Sequence, residues 1–169
     1  MKRSAFAGIA FVLSFSAFAQ APNPLDNVPD KMPNDIPYGP PVSLAVAQQA
    51  LNAAVAESQK RGWKFNVAVV DSGANLVAFA RMDGAQLGSI AIAEHKARAA
   101  AKFRRETKAF EAGIQAGNNY LITLDDVIAS RGGILLMDGG RIVGAIGCSG
   151  GTGSQDEVSC RAGANAVNK

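Results

Sequence analysis

A tight turn signal, Asp138-Gly139-Gly140, stands between two aliphatic runs, Gly133 to Met137 and Arg141 to Cys148. That spacing leaves no room for a crossover, so the two runs are expected to pair as an antiparallel hairpin. A second pair, Phe65 to Val70 and Leu76 to Met82, flanks the turn-rich Asp71-Ser72-Gly73-Ala74-Asn75 and reads the same way. Two hairpins separated by helical sequence argue against a parallel, doubly wound sheet. They specify an α+β domain with an antiparallel sheet and flanking helices.

The helical segments follow from apolar periodicity. Ser43 is placed to cap a helix that runs to about Arg61, with Leu44, Ala47, Leu51, Ala54 and Val55 on one face and Gly62 ending it. Ser89 to Phe103 carries a main apolar face of Ile90, Ala93, Ala97, Ala100 and Ala101. A narrower stripe of Ile92, Ala99 and Phe103 runs beside it, which implies burial against the sheet on one side and against another subunit on the other. Thr107 to Gln115 reads as a short helix, and Gly117-Asn118-Asn119 as an irregular turn. A last helix, about Ser154 to Val167, opens from the Gly-rich stretch Ser149 to Gly153.

Upstream of the domain the chain changes character. Met1-Lys2-Arg3, an apolar stretch from Ala5 to Phe18 and the small-x-small Ala17-Phe18-Ala19 have the pattern of an export signal, with cleavage expected before Gln20. The apolar run is too short to span a bilayer comfortably. All 7 prolines then fall between Ala21 and Pro41, an extended arm. The expected division is 1–19 signal peptide, 20–41 Pro-rich arm and 42–169 domain. The expected location is periplasmic or secreted, with no membrane partner after cleavage. Cleavage removes Lys2 and Arg3 from 17 bases, leaving 15 against 14 acids, so the pI of about 9.0 overstates the mature charge. With that near-neutral balance and only 7% aromatic residues, nucleic acid is not an expected partner, nor is an aromatic-lined pocket.

Export leaves two readings for Cys148 and Cys160: a disulfide, or two buried thiols behaving as small apolar side chains. A bridge across so short a separation would add about 2–3 kcal/mol.

The remaining chemistry is sparse. His95 is the sole histidine, and the helical projection turns it away from the main apolar face, as an exposed residue or as a ligand at an open cleft or subunit interface. Lys96 is expected to be a solvated end on an apolar stem or the neutraliser of a carboxylate. Arg98, Lys102, Arg104, Arg105 and Lys108 make the one basic stretch, a solvated face or a receiver for an acidic ligand. Gly150, Gly151, Thr152 and Gly153 precede a helix and offer backbone N–H groups to an anion. The acids Asp156 and Glu157 in the first turn can satisfy that dipole themselves. No nucleophile-elbow or paired-His motif is present.

Several segments in order resemble the GlcG/HbpS haem-binding family, also called the haem-degrading domain family. They are YGPPVSLAVAQQALNAAVAESQKRGW (38–63), VAVVDSGANLVAFARMDGA (67–85), GSIAIAEHKARAAAKFRRETKAF (88–110) and GGILLMDGGRIVGAIGCSGGTGSQDE (132–157). The resemblance implies a profilin-like fold, homo-oligomers and a haem or tetrapyrrole ligand, with a redox- or haem-sensing role. It places the pocket around the second helix and the RMDGA turn. His95 is then the imidazole candidate for the iron, with Thr107, Lys96 and Met82 as further ligand candidates. Arg81, Lys96 and Arg105 are the candidates to meet haem propionates. The family's KART pattern is not kept, since the helix reads Lys96-Ala97-Arg98-Ala99. Two other functions stay open: an enzyme acting on a small organic acid or exported metabolite, and a ligand-free oligomeric accessory protein.

Overall fold

The two hairpins join edge to edge. Asn66–Asp71 (β1) and Leu76–Arg81 (β2) form the first, Gly133–Asp138 (β3) and Arg141–Ser149 (β4) the second. All pairings are antiparallel, in the order β2-β1-β4-β3. The contact between hairpins is β1 on β4, from Asn66 opposite Ser149 to Asp71 opposite Gly144. The helices are Leu44–Lys60 (α1), Ser89–Phe103 (α2), Lys108–Gln115 (α3) and Gly153–Asn165 (α4). The computed structural model describes residues 26–169, of which Pro33–Lys169 form one packed unit. The expected signal peptide lies outside the described residues. No helix among the described residues is long and apolar enough to cross a membrane.

Alternation along the central strands sorts the core into two layers. Val67 and Val69 of β1 join Ile146 and Cys148 of β4 against α1 and α4. Ala68 and Val70 join Ala145 and the alanines of α2 on the other face. A helix lying this close to a sheet needs small residues on both sides. A Cβ built at Gly147 of β4 would stand 2.6 Å from the Ala97 nitrogen and closer still to the Ala93 carbonyl oxygen. No side chain fits there, so Gly147 opposite Ala93 and Ala97 sets how near α2 can come.

The second stripe of α2 is covered in part from within the chain, while Ile92 stays exposed. Phe103 packs edge-on against Phe110 of α3, ring centroids 5.4 Å apart, and Ala99 is wholly buried. The irregular turn expected after α3 forms at Gly117 and Asn118 and leads into a 3₁₀ turn, Asn119–Thr123. The Pro-rich arm ends as an added strand-like contact: Tyr38 bridges Ile142, and its hydroxyl donates to the Ala101 and Lys102 carbonyls.

Cys148 and Cys160 are bonded to each other, with Cα atoms 5.6 Å apart. The bridge fastens α4 to the second central strand, and both residues are fully buried. In the chain-entropy account, a loop of 12 residues closed this way contributes about 3 kcal/mol. Urea denaturation of the Cys148→Ala/Cys160→Ala variant is expected to show a stability loss of that order, about 2–3 kcal/mol. The untreated protein should lose a similar amount in reductant, and the variant should be insensitive to it.

Candidate functional site

Of the two readings for Lys96, the structure keeps the neutraliser of a carboxylate, but the carboxylate is the chain's own and the pair is buried. The Lys96 side chain is 1% exposed, and its Nζ donates to Asp156 Oδ2 at 2.6 Å. Asp156, in the first turn of α4, is 3% exposed and accepts the Gly151 N–H on its other oxygen at 3.1 Å. Burial pushes the Asp156 carboxyl up. The Lys96 ammonium and the backbone N–H groups of Gly151 and Gly150 draw it back down. Gly132, at φ +118°, closes the box: a Cβ there would stand 2.8 Å from the Asp156 Cβ and 3.3 Å from Lys96 Nζ. Lys96 is therefore neither a solvated tip nor free to meet a ligand. On the helical projection Lys96 falls outside the main apolar face, between its Ala100 edge and the narrower stripe of Phe103 and Ile92, so only packing on both sides buries it.

The same pair explains the Gly-rich loop. Gly151 N–H is taken by Asp156, while Thr152 and Gln155 form a capping box that satisfies the Thr152 and Gln155 N–H groups. The donors that Gly150, Gly151, Thr152 and Gly153 would offer an anion are in large part engaged by the chain itself. Beside this helix start, Arg131 reaches Glu111 and Glu157, and Arg161 reaches Glu106. This network docks α3 against α4. Hydrogen bonds from Arg131 hold the Glu111 carboxyl below the ordinary glutamate range.

The other candidate ligands separate into different places. Thr107 is fully buried, its hydroxyl accepting the Gly133 N–H at 2.9 Å while its own N–H donates to the Gly133 carbonyl. Arg105 lies 5.5 Å over the Phe110 ring and donates to the Phe103 carbonyl. Met82 and Arg81 line a cavity of about 460 Å³ with Val55, Trp63, Lys64 and Ala80, beside the end of α1. Met82 and Ala80 pack with the α1 and α4 layer, across the sheet from the layer containing α2. Met82 Sδ accepts the Phe65 N–H at 3.4 Å.

His95 differs from the exposed residue expected of it. It is partly buried, because the chain returns over this face of α2 after α3. Lys102 anchors that return through Asp126 at 2.5 Å, and its hydrogen bond holds the Asp126 carboxyl below the ordinary range. Two buried side-chain polar atoms among the described residues lack a hydrogen-bond partner: His95 Nε2 and Asn66 Oδ1. The Asn66 amide still donates to the Gln86 carbonyl, whereas the unpartnered His95 atom is a ring nitrogen able to coordinate a metal. No group of three or more His, Cys, Asp or Glu among the described residues is arranged to hold a metal ion alone.

A family model described as haem-degrading, HbpS-like protein matches residues 42–165. The protein GlcG of Escherichia coli K12 is 37% identical over 110 residues, which cover 63% of this chain and 82% of that protein. Among solved structures, a double mutant of HbpS from Streptomyces reticuli superposes with a TM-score of 0.72 at 28% identity, covering 89% of this chain and 99% of that one. A haem complex of PduOC superposes with a TM-score of 0.69 at 26% identity, covering 76% of this chain and 96% of that one.

Removing one partner of the buried pair leaves the other charged and desolvated. Lys96→Met is expected to lower stability by about 3–5 kcal/mol in urea denaturation. Adding Asp156→Asn keeps an acceptor for the Gly151 N–H while removing the charge, and is expected to restore a large part of that loss. Additive losses in the double variant would contradict a direct pairing.

Proposed function

Because the chain belongs to the HbpS-like family of haem-degrading proteins, we propose that it binds haem, with His95 as the iron ligand. The observation that carries this reading is the His95 ring nitrogen, buried and without a hydrogen-bond partner, on the chain's sole imidazole. Leaving such a group unsatisfied costs about 1–3 kcal/mol, and coordination to iron would satisfy it. The haem complex of the structural neighbour PduOC supports the same ligand class.

The surroundings suit an amphipathic, dianionic macrocycle. Arg98 and Lys102 lie one and two helical turns along α2; each is paired with an acid, Glu94 and Asp126, in exposed or half-exposed pairs that a propionate would have to displace. The 3₁₀ turn and the residue after it, packed on α3, expose Tyr120, Ile122 and Leu124, an apolar surface of the kind a porphyrin ring covers. The segment that follows is tied to α2 by the exposed Lys102–Asp126 pair, which contributes little in water, so displacing it to admit a ligand is cheap. When bound, haem supplies redox-active iron; the protein's part is to present Nε2, neutralise the propionates and exclude water. Thr107 and Lys96, both engaged inside the fold, are left out of this assignment, and Arg81 and Met82 belong to the cavity beside α1.

We further propose export through residues 1–19, giving a periplasmic or secreted haem-binding protein that works as an oligomer in a haem- or redox-sensing role. Mass spectrometry of protein recovered from the producing cells is expected to show a chain beginning at Gln20. An intact Met1 would overturn export by cleavage. Titration with hemin is expected to give a saturable Soret shift in the wild type and an altered, weaker spectrum in His95→Ala. No Soret shift in the wild type removes haem as the ligand, and an unchanged spectrum in the variant removes His95 from the iron.

A further inference from the structure

The cavity beside the end of α1 is built differently from the α2 face, and its charges are unmatched. It is a cleft of about 460 Å³ that opens widely to solvent, so a ligand there would keep one side exposed. Val55, Ala80 and Met82 supply an apolar floor, and Trp63 a flat aromatic wall. That wall is fixed from two sides. The Arg61 guanidinium lies 5.1 Å over the indole, and the Phe65 ring packs against it at 5.7 Å. Met82 is held in turn by its sulfur's bond from the Phe65 N–H.

Lys64 and Arg81 line this cavity, and among the described residues neither forms an ion pair. Most basic residues of the helices, by contrast, are paired; Lys96, Arg98, Lys102, Lys108 and Arg161 each have a carboxylate partner. Lys64 is also positioned. Its Cδ and Nζ lie 3.1 Å from where a Cβ would stand at Gly84, whose φ of +74° suits glycine. Asp83 is the one acid in the lining. Two cations against one acid leave a single positive charge, which matches a monoanion better than a phosphate dianion. The flat indole and the thioether favour an aromatic ring over an aliphatic chain. A second cavity, about 500 Å³ between α1 and β2, is lined by Leu44, Gln48, Leu51 and Phe79 among others and has no charged residue to orient a ligand.

We propose that the cavity formed by Val55, Trp63, Ala80 and Met82 binds a small planar aromatic carboxylate, whose charge pairs with Lys64 and Arg81. The site goes beyond the haem reading and does not involve His95. Trp63 is the sole tryptophan, so the ¹⁵N-labelled protein has one indole N–H resonance with which to read it. The probes are 1-naphthoate and its uncharged analogue 1-naphthamide, of the same shape. Naphthoate is expected to move the indole resonance saturably, binding roughly tenfold more tightly than naphthamide because its bonds to the two cations are charge-assisted. Lys64→Gln/Arg81→Gln changes two exposed side chains and is expected to abolish that preference while naphthamide binding stays as it was. An indole resonance that does not move saturably overturns the proposal, and so does equal affinity for the two probes. The hemin titration reads His95 and this one reads Trp63, so the two readings fail separately.

Discussion

The buried Lys96–Asp156 pair is the interaction on which the arrangement of the domain depends. It joins the helix on one face of the sheet to the first turn of the helix on the other, around the end of β4 and the start of β3. Two opposite charges this far from water are tolerated only when geometry and extra hydrogen bonds offset the loss of hydration. Here the Gly151 N–H supplies one such bond, which is why the Gly-rich loop folds back on Asp156 and does not stand open. Gly132 and Gly133 are side-chain-free where the pair and the α2 backbone pass, and the buried disulfide fixes α4 a turn further on. An ionic centre of this kind adds little net stability beyond what apolar residues would give. It does penalise any packing in which the two charges fail to meet.

With that centre closed, chemistry is left to the periphery, and the sheet divides it. On the α2 side stands an imidazole nitrogen with no partner, beneath a segment tied down by an exposed ion pair. On the α1 side stands a cleft with an aromatic wall and two cations that form no ion pair among the described residues. The family resemblance had grouped His95, Lys96, Thr107, Arg81, Met82 and Arg105 around one pocket. Folding places these residues in three environments: the sealed interior, the outer face of α2 and α3, and the end of α1. The low aromatic content argued against an aromatic-lined pocket, yet a single tryptophan held by Arg61 and Phe65 is enough to form one wall.

The expected elements fell within a residue or two of their observed ends, several of them because they rest on a local device and α2 because its apolar periodicity runs its whole length. Ser43 accepts the Val46 N–H as a helix cap, Thr152 and Gln155 form a capping box, and the Asp138-Gly139-Gly140 turn closes its hairpin. The environments of Lys96 and His95 were not legible in the same way, because burial of a helix face depends on what crosses it. The stripe of Ile92, Ala99 and Phe103 is correctly apolar, but its cover includes Phe110 of the same chain. The Arg131–Glu111 and Arg161–Glu106 contacts join residues far apart in sequence, and no spacing rule marks them.

By itself the sequence determined the order and pairing of the strands within each hairpin, the helices and their apolar faces, and the family. These are set by turn geometry and periodicity over a few residues. It also narrowed the cysteines to two outcomes. Only the tertiary structure decided that they are bonded, that the two hairpins meet through β1 and β4, that Lys96 is sealed against Asp156, and that His95 lies under a returning segment. Each of these is settled by the close approach of elements distant in sequence. There the cost of burying a charge or leaving a polar atom unpaired depends on which neighbour the fold supplies.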